Sequence, residues 1–142
     1  VESSFVGLIL DSAVIIAAER LGQTVRQILE QIHAVHGEID LGLSVVSVVE
    51  LTHGIQRAKD EKRRKRRQAF VDELIRDILV HPVTVETAKL AGQIEGQQAD
   101  QGVTIAFEDL LIAATALQLG YGVATSNIRH FQVIPGLTVV QF

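Results

Sequence analysis

The chain has 142 residues, 47% of them hydrophobic, and a formal net charge of −4. That is enough apolar material for one core without a disulfide or metal staple, and it excludes a globally disordered chain. The absence of Cys excludes zinc thiolate sites, Cys nucleophiles and disulfides, and it fits a reducing, cytoplasmic setting.

No apolar stretch approaches the roughly 20 residues that span a bilayer. Val1 to Phe5 carries no basic lead-in of the signal-peptide kind. Phe5 to Leu10 is a continuous apolar run, as expected of a strand buried on both faces. Ser12 is placed to cap a helix running to about Leu21, with Ala13, Val14, Ile16 and Ala17 as its buried side. Thr24 to Val35 follows as a second helix, with Val25, Ile28, Leu29 and Ile32 on one face. A loop from Gly37 to Gly42 leads into a strand at Leu43 to Val46. Ser47 to about Ala58 reads as a helix, with Ser47 and Glu50 spaced as a capping box.

The next helix spans about Asp60 to Ile78, with Phe70, Val71, Leu74, Ile75 and Ile78 as its apolar stripe. Leu79 to Val85 is strand-like, and Pro82 marks it as an edge strand. Thr87 to Gln101 is a helix carrying Ala88, Leu90, Ala91 and Ile94, ended by Gly102. Glu108 to Leu119 has the clearest helical stripe (Leu110, Ala113, Ala114, Leu117), with Gly120 as its stop. Gly122 to Thr125 is a short strand, Asn127 to Phe131 a turn or single helical turn, and Leu137 to Val140 a last strand. This alternation predicts an α/β fold over residues 1–142: a three-layer α/β/α sandwich around a mostly parallel five-stranded sheet.

Three acids stand where an apolar run meets a helix: Asp11, Glu50 and Asp109. In a parallel sheet, strand C-termini and helix N-termini share one edge, and ligands bind in the crevice there. Singly, each acid has an ordinary reading as a cap or a partner of the helix dipole. Jointly, three crowded carboxylates repel one another, and a hard divalent ion such as Mg²⁺ or Mn²⁺ removes the conflict. Thr125, Ser126 and Asn127 end a strand at the same edge. They read either as neutral oxygen ligands or as an ST- or Asx-turn.

These segments resemble the PIN-domain ribonucleases, and within them the VapC toxins of toxin–antitoxin pairs. The resemblance rests on Leu10-Asp11-Ser12-Ala13-Val14-Ile15-Ile16, Val49-Glu50-Leu51-Thr52-His53-Gly54-Ile55, the run from Asp109 to Leu117, and Ala124 to Phe131 followed by Ile134 to Val139. It covers nearly the whole chain. It implies a metal-dependent endoribonuclease using Mg²⁺ or Mn²⁺, held by Asp11, Glu50 and Asp109 as the catalytic acids. It also implies a homodimer and a small VapB-like antitoxin that blocks the crevice. Asn127 stands where many PIN domains carry a fourth Asp, and Ser12-Ala13 stands where Thr-Asn is frequent. Asn127 therefore also supports an alternative, a catalytically weak PIN-fold protein that binds and regulates RNA.

Arg57, Lys59 and the run Lys62, Arg63, Arg64, Lys65, Arg66 and Arg67 hold most of the 13 basic residues. The run reads as an RNA-phosphate or protein-partner contact, or as a solvated helix face. No aromatic residue interleaves with it, so base stacking is not indicated. The five His residues show no metal-ligand spacing. His53, one turn after Glu50, is expected to be an ordinary half-buried residue.

Overall fold

The computed structural model describes residues 5–142, so the leader reading of Val1 to Ser4 lies outside the described residues. The elements in chain order are β1 (Gly7–Leu10), α1 (Ser12–Arg20), α2 (Val25–His36), β2 (Asp40–Ser44), α3 (Val45–Gln56) and α4 (Glu61–Asp77). Then come β3 (Leu79–His81), α5 (Val85–Asp100), α6 (Phe107–Leu119), β4 (Gly122–Thr125), α7 (Ile128–Phe131) and β5 (Val139–Gln141).

All strand pairs are parallel, in the order β3-β2-β1-β4-β5. The chain first builds outward from β1 to β2 and β3, then crosses to β4 and β5 on the other side. The winding direction therefore reverses between β1 and β4, where a crevice opens beyond the strand ends. β1 separates two cores. Leu8 and Leu10 pack with Ile15, Ile28, Ile32, Leu51, Ile55, Val71 and Leu74 of α1 to α4. Ile9 packs with Ala91, Ile94, Leu110, Ala113 and Phe131 of α5 to α7. That alternation makes the three-layer sandwich expected from the sequence, with β3 at the edge as Pro82 indicated. Among the described residues, no helix is long and apolar enough to cross a membrane.

Several boundaries and faces differ from expectation. α1 begins one residue past Asp11, which occupies the cap position, and Ser12 is its first helical residue. Its fully buried side is Ser12, Val14, Ile15 and Ala18; Ile16 packs partly buried against the same core, and Ala17 is exposed. β2 starts at Asp40 and α3 at Val45, because the Ser44 hydroxyl accepts the Val46 N–H at 3.2 Å and ends the strand. The run from Leu43 to Val49 is apolar apart from Ser44 and Ser47 and carries no periodicity that marks this border. Ser47 consequently lies inside α3, buried with no partner for its hydroxyl, and the capping box with Glu50 does not form. Thr84 caps α5 two residues early and accepts the Thr87 N–H, so Val85 belongs to the helix. Ala88 is exposed, and the buried stripe of α5 is Thr87, Ala91, Ile94 and Gln98. Gly7 and Gly42 are required by close approach: a Cβ on either would stand 2.7 or 2.8 Å from the ring of Tyr121 or His81.

Candidate active site

Asp11 leaves the C-terminal end of β1 and is only 4% exposed. Its backbone N–H donates to the Ala124 carbonyl at 2.9 Å, extending the β1–β4 pairing to the strand ends. The neighbouring strand thereby delivers Thr125, fully buried, whose hydroxyl donates to Asp11 Oδ2 at 2.8 Å. Thr125 Oγ1 in turn accepts the Asn127 N–H at 2.9 Å. The ST-turn is thus present. The Thr125 proton is directed at Asp11, and the hydroxyl acts as a strut between the two central strands. Asp11 makes no side-chain cap bond to α1, so the capping reading of this residue does not hold.

Glu50 lies in the second turn of α3, which has no acid in its first turn, so the helix-start reading fails here as well. Its side chain is half-buried. Desolvation pushes its pKa above 4.5, a hydrogen bond from Ser12 pulls it down, and the charges of Asp11, Asp109 and Glu108 push it up again. Asp109 sits in the first turn of α6 and retains its dipole-friendly position. Its pKa is raised above 3.8, first by desolvation, then by the charge of Asp11; His130 lowers it and Glu108 raises it. The charge of Asp11 thus reaches both Glu50 and Asp109, and that of Asp109 reaches Glu50, from three separate elements.

Among the described residues, no three Asp, Glu, His or Cys side chains already form a group that could hold a metal ion. The three acids lie within electrostatic reach of one another without closing on a single point. The chemistry of the donor set nonetheless suits a hard divalent cation: oxygen donors only, mutually repelling, with Asp11 fixed in the sheet. Glu50 and Asp109 are only partly buried. Ser12 serves Glu50 as well as lying beside Asp11.

Ser126 and Asn127 are exposed, and Asn127 contributes only its backbone N–H to the hydrogen bonds at this turn. His130, which the sequence reading passed over, places Nδ1 3.2 Å from Asp109 Oδ2. The only signal for it was position: it lies in the single-turn helix α7 that follows the crevice strand. His53 is exposed rather than half-buried, because it lies off the buried face of α3 defined by Ser47, Leu51 and Ile55.

The basic run divides by helical face. Lys62, Lys65 and Arg66 are exposed. Arg64 pairs with Glu61 at 2.7 Å, and its Nε is buried without a partner. Arg67 donates to the Gly54 carbonyl at 2.8 Å, tying α4 to α3.

Residues 8–137 match the family model of the PIN domain. The chain belongs to the PIN-domain family. Ribonuclease VapC1 of Rickettsia felis is 31% identical to this PIN-domain chain over 134 residues, which is 94% of this chain and 95% of the relative. The structure of VapBC2 from Rickettsia felis, bound to a DNA fragment from its promoter, superposes with a TM-score of 0.82 at 18% identity, covering 96% of this chain and 98% of the other. VapBC-5 from Mycobacterium tuberculosis, from the VapBC family of toxin–antitoxin systems, gives a TM-score of 0.75 at 23% identity, covering 96% and 99%. At those identities the two structures establish the PIN fold.

Proposed function

We propose that this PIN-domain protein is a metal-dependent endoribonuclease and the toxin of a VapBC-type pair. The observation that carries this reading is the buried Asp11, whose charge reaches both Glu50 and Asp109 across the sheet's switch point. Isolated caps do not gather in this way. The ribonuclease named among its relatives supports the same activity.

Asp11, Glu50 and Asp109 are the residues that would hold Mg²⁺ or Mn²⁺. A bound divalent ion supplies Lewis-acid polarisation of a phosphodiester and neutralises charge that accumulates as it is hydrolysed. Thr125 orients Asp11, Ser12 orients Glu50, and His130 holds Asp109, so each acid has its own positioning partner. The partners proposed with this activity are an RNA substrate, a small VapB-like antitoxin over the crevice and a second copy of the chain.

Incubating the purified protein with structured RNAs in Mg²⁺, Mn²⁺ or EDTA tests the proposal. Cleavage in either metal, lost in EDTA and in Asp11→Asn, is the expected result. RNA binding without metal-dependent cleavage would replace it with the regulatory RNA-binding reading. The exposed Asn127, in place of a fourth acid, is the observation that favours that second reading.

A further inference from the structure

A cavity of about 480 Å³ lies beside Glu50, which forms part of its wall. Arg20, Arg57, Lys59, Arg63 and Arg67 also line it. They come from the end of α1, the end of α3, the following turn and one face of α4, where Arg63 and Arg67 stand one turn apart. Arg20, Arg57 and Lys59 make no ion pair among the described residues. Arg63 has only a half-exposed contact with Asp60 at 3.6 Å. Five cations facing a single acid make a local positive field in a chain whose net charge is −4.

We infer that this pocket is a phosphate-binding subsite for single-stranded RNA, holding the backbone next to the phosphodiester presented to Asp11, Glu50 and Asp109. The inference rests on the nuclease reading, which places RNA in the crevice. An acidic crevice repels a polyanion, and cations that share its wall at Glu50 offset that repulsion where the strand must enter. His53 is the one ring in the lining and no Phe, Tyr or Trp joins it, so the pocket grips phosphate and ribose more than bases, and its contribution is largely independent of sequence. An antitoxin segment lying over the crevice would cover the same cations, and so exclude the strand from them.

The test compares two triple variants with equal loss of charge. Arg57→Gln/Lys59→Gln/Arg63→Gln empties the pocket of three exposed cations. Lys62→Gln/Lys65→Gln/Arg66→Gln removes three from outside it. Binding of a fluorescent, mixed-sequence single-stranded RNA is measured in EDTA over a range of salt, with thermal melts to verify folding and a gel to verify intact RNA.

The pocket variant should bind at least about tenfold more weakly at low salt, with a slope of log K against log salt shallower by about 2, from ~0.7 per lost phosphate contact. The outside variant should stay near wild type. In Mg²⁺ the pocket variant should raise KM and leave kcat nearly unchanged. Equal binding and equal slopes for the two variants would overturn the inference while leaving wild-type cleavage intact. A wild type that never cleaves, but binds RNA through the pocket, would sink the nuclease reading and leave the subsite standing.

Discussion

Thr125→Val tests whether the hydroxyl at the end of β4 holds Asp11 in place. Val keeps the shape and suits a strand, so the change removes one oxygen and little else. That oxygen donates to a buried carboxylate at 2.8 Å and accepts the Asn127 N–H at 2.9 Å. Losing a hydrogen bond to a charged group costs about 1.5–3 kcal/mol. The Asn127 N–H costs less, because that residue is exposed and water can replace the hydroxyl. A net loss of about 2–3 kcal/mol is expected. Thr125→Ser keeps the oxygen and gives up one buried methyl, about 1 kcal/mol. Urea unfolding in EDTA reads both stabilities, and RNA cleavage in Mn²⁺ reads the consequence for Asp11. The Val variant should lose most of its cleavage and the Ser variant should retain it. A Val variant within ~0.5 kcal/mol of wild type that cleaves normally would refute the strut.

Glu50→Gln should abolish cleavage yet raise metal-free stability at pH 7.5. The sign follows from linkage. The folded state holds the Glu50 proton more tightly than an ordinary glutamate near 4.5 does, so wild type loses stability as pH rises from there through the raised folded value. The advantage of Gln should therefore vanish near pH 4 in parallel urea titrations. His130→Ala removes an influence that lowers the Asp109 pKa, so the acid limb of the Mn²⁺-dependent pH–rate profile should move to higher pH. An unmoved limb would show that His130 does not tune Asp109. Gly7→Ala places a methyl 2.7 Å from the Tyr121 ring, and thermal unfolding should show a loss of about 1–3 kcal/mol.

The architecture was legible because its signals are local and periodic. The double-sided run at β1, the stripes of α2 and α6, and the stop at Gly120 are each written in adjacent residues. The β2–α3 border was not, since Leu43 to Val49 is apolar on either side of it and only the Ser44 hydroxyl ends the strand. The faces of α1 and α5 were misread where small or polar residues, Ala18, Thr87 and Gln98, face inward.

At the site, the three acids could be located from the strand-to-helix pattern, but their positioning partners could not. Thr125 meets Asp11 across 114 residues, and His130 meets Asp109 from another helix, so neither contact leaves a spacing in the chain. The basic run was visible as composition. Its division into a pocket face and an outer face, joined by Arg20 from α1, exists only after folding.

A crystal soaked in Mn²⁺ and measured at the manganese absorption edge tests the central claim most directly. The account predicts one anomalous peak bounded by carboxylate oxygens of Asp11, Glu50 and Asp109, and no such peak in Asp11→Asn. Well-diffracting Mn²⁺-loaded crystals with no ordered ion at these three side chains, or with the ion bound elsewhere, would contradict it.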